Sequence, residues 1–264
     1  MTVSHKTMAS VSPPAQPSEK PRLCLESSEQ WLAYFRRNTE TLLAIPWSNG
    51  ASLTPREKQT IYRSIQKFQL GESSEGNHLR GLAHAYAART GEIAYGEAME
   101  LFIKEEQRHA RDLGRFMDLA EIPRTTSHWS DRVFRSLRTM GNLEMMLSVL
   151  LVAELIAKVY YVALREATNS PALRQLCQQI LHDEEQHVHF HVKQLARLRA
   201  GRRWSLGLVF MLYRLFFGSA CLVVWMGHAS VFRKTGMTFG GFWKTCRQEM
   251  QEAVCLMDPR ADLG

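Results

Sequence analysis

Two short segments carry residue types that could bind metal: Glu105-Glu106-Gln107-Arg108-His109 and Asp183-Glu184-Glu185-Gln186-His187. In each, a Glu and a His stand three apart, which places both on one face of a helix. Carboxylate and imidazole without thiolate suit iron or manganese better than copper or structural zinc. One E-x-x-H is a weak signal; two copies, each preceded by an acid, are a stronger one. Their setting adds to this. Tyr95, Met99, Phe102, Glu106, His109, Leu113 and Phe116 form one stripe at helical spacing, and Leu173, Cys177, Ile180, Glu184, His187, His191 and Leu195 form another. Ionisable groups therefore interrupt apolar faces. Buried carboxylates are costly without a compensating cation or proton, and two divalent ions would provide it.

The rest of the chain must position these stripes. Thr54-Pro55-Arg56-Glu57 reads as a capped helix start, and the first long helix is expected to continue to about Arg89, before Gly91. A second is expected from about Glu92 to Ala120, a third from Asn142 to Thr168, and a fourth from Ser170-Pro171 to about Ala200. No alternating strand pattern competes, so the fold class is all-α. Tight turns join the first pair and the last pair, whereas residues 121–141 make a long link. Two antiparallel hairpins with one long crossover is the connectivity of a ferritin-like four-helix bundle. The expected division is a disordered tail over 1–27, a short helix and linker over 28–53, the bundle over 54–202, and further helices over 203–264.

The first helix of each hairpin is expected to supply a bridging carboxylate. Glu154, on the stripe Leu147, Leu150, Leu151, Tyr161, precedes Glu184 by thirty residues. On the stripe Ile61, Ile65, Phe68, Leu79 there are two candidates, Glu75 and Glu72, which precede Glu106 by thirty-one and thirty-four. Internal symmetry favours Glu75. Metal-bound imidazoles usually donate their second N–H to an acceptor, and Asp183 and Glu105 are candidates to receive it from His109 and His187 respectively. His191, one turn beyond His187, is a further candidate for a supporting role.

At these residues the chain resembles the ferritin-like dimetal-carboxylate superfamily over roughly residues 55–200. The two motifs are similar to the E-E-x-R-H and D-E-x-x-H pair of soluble acyl-carrier-protein desaturases. The second also recurs in ribonucleotide reductase small subunits and bacterial monooxygenase hydroxylases. Gly71-Glu72-Ser73 resembles the G-E-S around the first ligand of rubrerythrins, which favours Glu72 over Glu75; a rubredoxin-like C-x-x-C is absent. The resemblance implies two iron ions (manganese or a mixed pair also suits the ligands) and a non-haem diiron oxidoreductase of oxidase, oxygenase or desaturase type. Its partners would be a small hydrophobic substrate and an electron donor. A ferroxidase or peroxide-scavenging protein of the same fold is the alternative. A metal-free helical scaffold is a lesser one.

Bulk properties are ordinary for a globular protein and add two questions. The 264 residues are 45% apolar and 22% charged, enough for one sizeable core. Five cysteines without a C-x-x-C argue against a disulfide framework, and no apolar leader segment is evident, so a cytoplasmic location is expected. The net charge of +7 suits an acidic partner such as an acyl carrier protein or anionic lipid; the basic residues are scattered, which argues against nucleic acid. Residues 206–227 are almost continuously apolar but contain Arg214. They suit a covering helix, a homodimer interface or attachment to a membrane. Gly71, Gly76 and Gly81 fall inside the first expected helix, where each would cost about 1 kcal/mol relative to Ala unless space or a distortion is needed there.

Overall fold

The computed structural model describes residues 25–126, 141–200 and 206–257, with side chains omitted for 206–212. Those residues are helical and contain no strand. The tail before residue 25 and most of the 121–141 link lie outside them. Residues 25–27, expected as tail, belong to the fold: Ser27 caps α1 (Ser28–Asn38) in a reciprocal box with Gln30.

α2 (Pro55–Glu72) starts at the expected capping box. Glu57 accepts the Thr54 backbone N–H at 2.9 Å, while its second oxygen accepts the Asn169 N–H at 2.7 Å. One carboxylate thus starts α2 and ties it to the connection between α5 (Leu143–Glu166) and α6 (Pro171–Arg199). α6 begins with Ser170 as cap and Pro171 in its first turn. Only residues 167–170 separate α5 from α6, and the two helices pack along their lengths, which requires an antiparallel hairpin.

The single helix expected from residue 54 to 89 is two. α2 ends at Glu72, and α3 (Asn77–Thr90) starts after Gly76, whose φ of 66° is left-handed. A Cβ at Gly76 would stand 2.7 Å from the Ile103 Cγ2, so glycine is needed both for the turn and for the close approach. Gly71 and Gly81 face open space and explain nothing further. α3 turns at Gly91 into α4 (Ile93–Leu119), and α4 packs on α1, α2, α3 and α6.

The core is in two apolar halves. One contains Met99 and Phe102 of α4, Leu147 and Leu151 of α5, and Phe190 and Leu195 of α6. The other contains Leu113 and Phe116 of α4, Ile156 of α5, and Leu173 and Ile180 of α6. Running along α4 or α6, the chain leaves one half, passes the motif, and enters the other. The ionisable residues therefore lie at the seam.

Among the described residues, two helices are long and apolar enough to cross a membrane, and they differ in setting. In α5, 78% of the apolar window is buried, as suits the central helix of a bundle; in residues 213–234 of α7 (Leu206–Lys234) the figure is 33%. α7 packs on α2, α5 and α8 (Phe239–Met257), and leaves Leu215, Leu222 and Met226 exposed.

Candidate metal centre

The four segments bring their acids and imidazoles together. Glu72, Glu106, His109 and Glu184 form one group of candidate ligands, and Glu154, Glu184 and His187 form another, with the ligand atoms of each group within 4.8 Å of one another. Glu184 belongs to both. His187 Nδ1 also lies 3.1 Å from Glu106 Oε1. Glu184 of α6 is thus the carboxylate common to both groups, and Glu106 of α4 stands between His109 and His187. Glu154 and Glu72, from the helices expected to supply bridging carboxylates, each belong to one group. The helical i, i+3 spacing holds each motif Glu beside its own His.

Each imidazole is held at its far nitrogen. His109 Nε2 lies 3.0 Å from Asp183 Oδ2, and His187 Nε2 lies 2.9 Å from Glu105 Oε2. Each carboxylate accepts from an Nε2–H, which leaves Nδ1 as the ring nitrogen that faces the cluster. Both Nδ1 atoms lack a hydrogen bond, as do Glu106 Oε1, Glu184 Oε2 and both oxygens of Glu154. Unpaired buried polar atoms of this kind cost about 1–3 kcal/mol each, and these converge on one place. Divalent cations would satisfy them together. The donor set fits such ions.

Asp183 and Glu105 are the acids that precede the motif glutamates, in the crossed pairing suggested by the sequence. They are themselves held. Asn38 of α1 donates both amide hydrogens, to Glu105 at 2.7 Å and to Asp183 at 2.9 Å. Gln179 and Arg108 also donate to Asp183. Burial would raise the Asp183 carboxyl, but the His109 N–H and the charges of His109 and Arg108 overcome it and hold it well below its usual range. In the group that contains His109, Tyr161 donates to Glu72 Oε1 at 2.7 Å.

Sequence reasoning assigned no role to Asn38, Tyr161, Gln179 or Arg108. Arg108 was visible inside the motif, and Gln179 stands one helical turn before Asp183. Asn38 left no local signal, being far from both of its partners in the chain.

Burial and mutual repulsion leave their mark on the acids. Burial first, then the Glu106 charge, raises Glu184 to about 7; burial with the charges of Glu106 and Glu184 raises Glu72 well above the usual carboxylate range. Burial would lower His109, yet its hydrogen bond to Asp183 and the Glu106 carboxylate beside its Nδ1 raise it to about 10. Without metal, the cluster holds protons that a cation would displace.

Two other sequence candidates fall differently. Glu75 is exposed in the turn between α2 and α3 and accepts from Asn77 Nδ2 at 2.8 Å; it is outside both ligand groups. The break at residue 73 is the cause, because it ends the helical stripe that symmetry with α5 had extended through Glu75. His191 is fully buried, with Nε2 2.9 Å from Glu154 Oε1 but off hydrogen-bonding angle, and burial together with the His187 charge lowers it to about 3. It is a neutral neighbour of Glu154.

The same break opens a way to the centre. A cavity of about 430 Å³ lies between the 73–76 turn, α4 and α5, and both Glu72 and Glu106 line it. Glu106 is correspondingly the most accessible of the candidate ligands, at 21%. Among the described residues the cysteines are free. No protein-family model, curated protein or solved structure matches this chain.

Proposed function

We propose that this chain is a ferritin-like, non-haem dimetal oxidoreductase that binds two iron ions and oxidises a hydrophobic organic substrate with O₂. The observation that supports it most is the paired arrangement of His109 and His187. Each is fixed at Nε2 by a dedicated acid, and each turns a bare Nδ1 toward Glu106 and Glu184. An interior that wanted only neutral packing would not carry this arrangement, because leaving such atoms unpaired is expensive.

Glu72, Glu106, His109 and Glu184 would hold one ion, and Glu154, Glu184 and His187 the other. When bound, such a pair supplies redox chemistry with O₂ that side chains alone lack. The chain's own contribution is positional. Asn38, Asp183 and Glu105 lock the imidazoles, Tyr161 orients Glu72, and the apolar halves on either side exclude water.

The partly apolar cavity supports an organic substrate rather than iron storage as the purpose. The acidic Glu75 beside its opening suits passage of Fe²⁺ as well, which keeps a ferroxidase as the second reading. Anaerobic reconstitution with Fe²⁺ followed by metal analysis should give two ions per chain, and fewer than one would overturn both readings. Admitting O₂ then separates them. Consumption that stops after the bound iron is oxidised, and resumes only with more Fe²⁺, supports the ferroxidase. Turnover sustained by an electron donor plus an apolar substrate supports the oxidoreductase.

A further inference from the structure

Polarity changes sharply with depth in the cavity beside the cluster. Its inner wall is Phe102, Ile103 and Leu150, all buried, and it ends against Glu72 and Glu106. Its outer edge is the Ser74, Glu75 and Asn77 turn, where Glu75 is exposed. No lysine or arginine is among the described lining residues. Arg80 stands nearby but donates to Asn77 Oδ1 at 2.7 Å and does not line the cavity. The volume falls in the range of sites for small organic molecules.

The inner wall can take an alkyl or aryl group, and at its end Glu72 and Glu106 would repel a carboxylate as well. At the edge a polar end meets the exposed Glu75 carboxylate, with His78 also in the lining. A carboxylate-headed molecule would meet repulsion there and find neither lysine nor arginine among the described lining residues; an alcohol would find hydrogen bonds, and an ammonium an opposite charge. We infer that this cavity is the substrate site and that Glu75 is its charge filter, admitting apolar molecules with an uncharged or cationic polar end and turning carboxylates away. Calling the occupant a substrate rests on the oxidoreductase reading above. The binding preference itself does not.

Calorimetric titration of the full-length protein with 1-octanol, octylamine and octanoate tests this, both stripped of metal by chelation and after loading with Mn²⁺. On the stripped protein, octanol and octylamine should bind, and octanoate about ten-fold more weakly than octanol or not at all. Glu75→Lys, an exposed change with little consequence for folding, should strengthen octanoate and weaken octylamine by about the same factor. Leu150→Trp should abolish binding of all three by filling the inner wall. Octanoate binding as tightly as octanol, or an unchanged order of affinities in Glu75→Lys, would overturn the filter. If Mn²⁺ loads but no probe binds, this inference fails while the metal centre stands; if the probes bind in the expected order but Mn²⁺ does not load, the reverse holds.

Discussion

The two hairpins contribute alike to the cluster and differ in how they enclose it. On one side α5 is continuous through Glu154, and α5 with α6 forms the most extensive helix pair among the described residues. On the other, the helix that carries Glu72 stops at that residue, and the chain re-forms as α3 only after Gly76. The α5 side closes the site, whereas the α2–α3 side gives it an opening. A near-symmetric arrangement of ligands is thus set in an asymmetric shell, and one face of the ligand pair becomes accessible. The accessibilities follow this division: Glu154 and Glu184 are almost wholly buried, while Glu106 is exposed to the cavity.

The severest test of this comparison removes what the two sides share. Glu184 belongs to both ligand groups, so Glu184→Ala should lose both metals rather than one, taking metal content from two per chain to near zero. The stabilisation that accompanies metal loading should vanish with it, because a cation binding only the folded state raises stability by mass action. In metal-free protein the same change should be neutral or mildly stabilising, since it relieves repulsion among Glu72, Glu106 and Glu184. Thermal melts with and without added metal separate the two effects.

The next expected effect is removal of a pH dependence by metal. In the metal-free protein Glu184 is raised to about 7 and His109 to about 10. A group whose pKa is raised by folding contributes stability below its unfolded pKa and loses it as the pH climbs through the folded one. For Glu184 the loss runs from its ordinary carboxylate value up to 7, and for His109 from its ordinary imidazole value up to 10. Metal-free protein should therefore be less stable at pH 8.5 than at pH 6. Metal binding displaces those protons, so affinity rises over the same interval. Melts of loaded protein should stay nearly level between pH 7 and 8.5, where melts of metal-free protein move downward. Parallel curves would mean that cations do not compete for these protons.

Gly76 tests the opening itself. Any side chain there meets Ile103 and must adopt a left-handed backbone. Gly76→Ala should cost about 1–3 kcal/mol, visible as a lowered Tm, while metal content stays at two because no ligand is touched. Alanine at Gly91, left-handed but with open space around its Cβ position, should cost less.

The parts legible in the sequence are those governed by local rules. Capping residues and prolines set the starts of α2 and α6, and helical periodicity located Glu106, His109, Glu184 and His187 on buried faces. What escaped was nonlocal or unusually compact. Asn38 reaches Glu105 and Asp183 across the fold, and no local pattern announces a contact of that kind. The turn at 73–76 was misread for a different reason. Ser73-Ser74-Glu75-Gly76 lies inside an otherwise helical run, and only the close packing of Gly76 on Ile103 makes the break necessary. Nor does periodicity show that Glu184 belongs to both ligand groups, because it gives the face of a residue but not its depth between two facing helices.

The smallest expected effect is the one that symmetry would have made large. Glu75 precedes Glu106 by nearly the interval that separates Glu154 from Glu184, so an unbroken first helix would present it to the cluster as α5 presents Glu154. The break instead leaves it in the turn, bonded to Asn77. Glu75→Ala should retain both metals and change stability by no more than about 0.5 kcal/mol, as for other exposed positions. Glu72→Ala removes a carboxylate that Tyr161 orients and that belongs to one ligand group, so it should lower metal content toward one per chain. Metal analysis of the two variants side by side reads out where the helix ends. If Glu75→Ala were the variant that lost metal, the symmetry would extend through residue 75, and the opening on this side of the cluster would have to close.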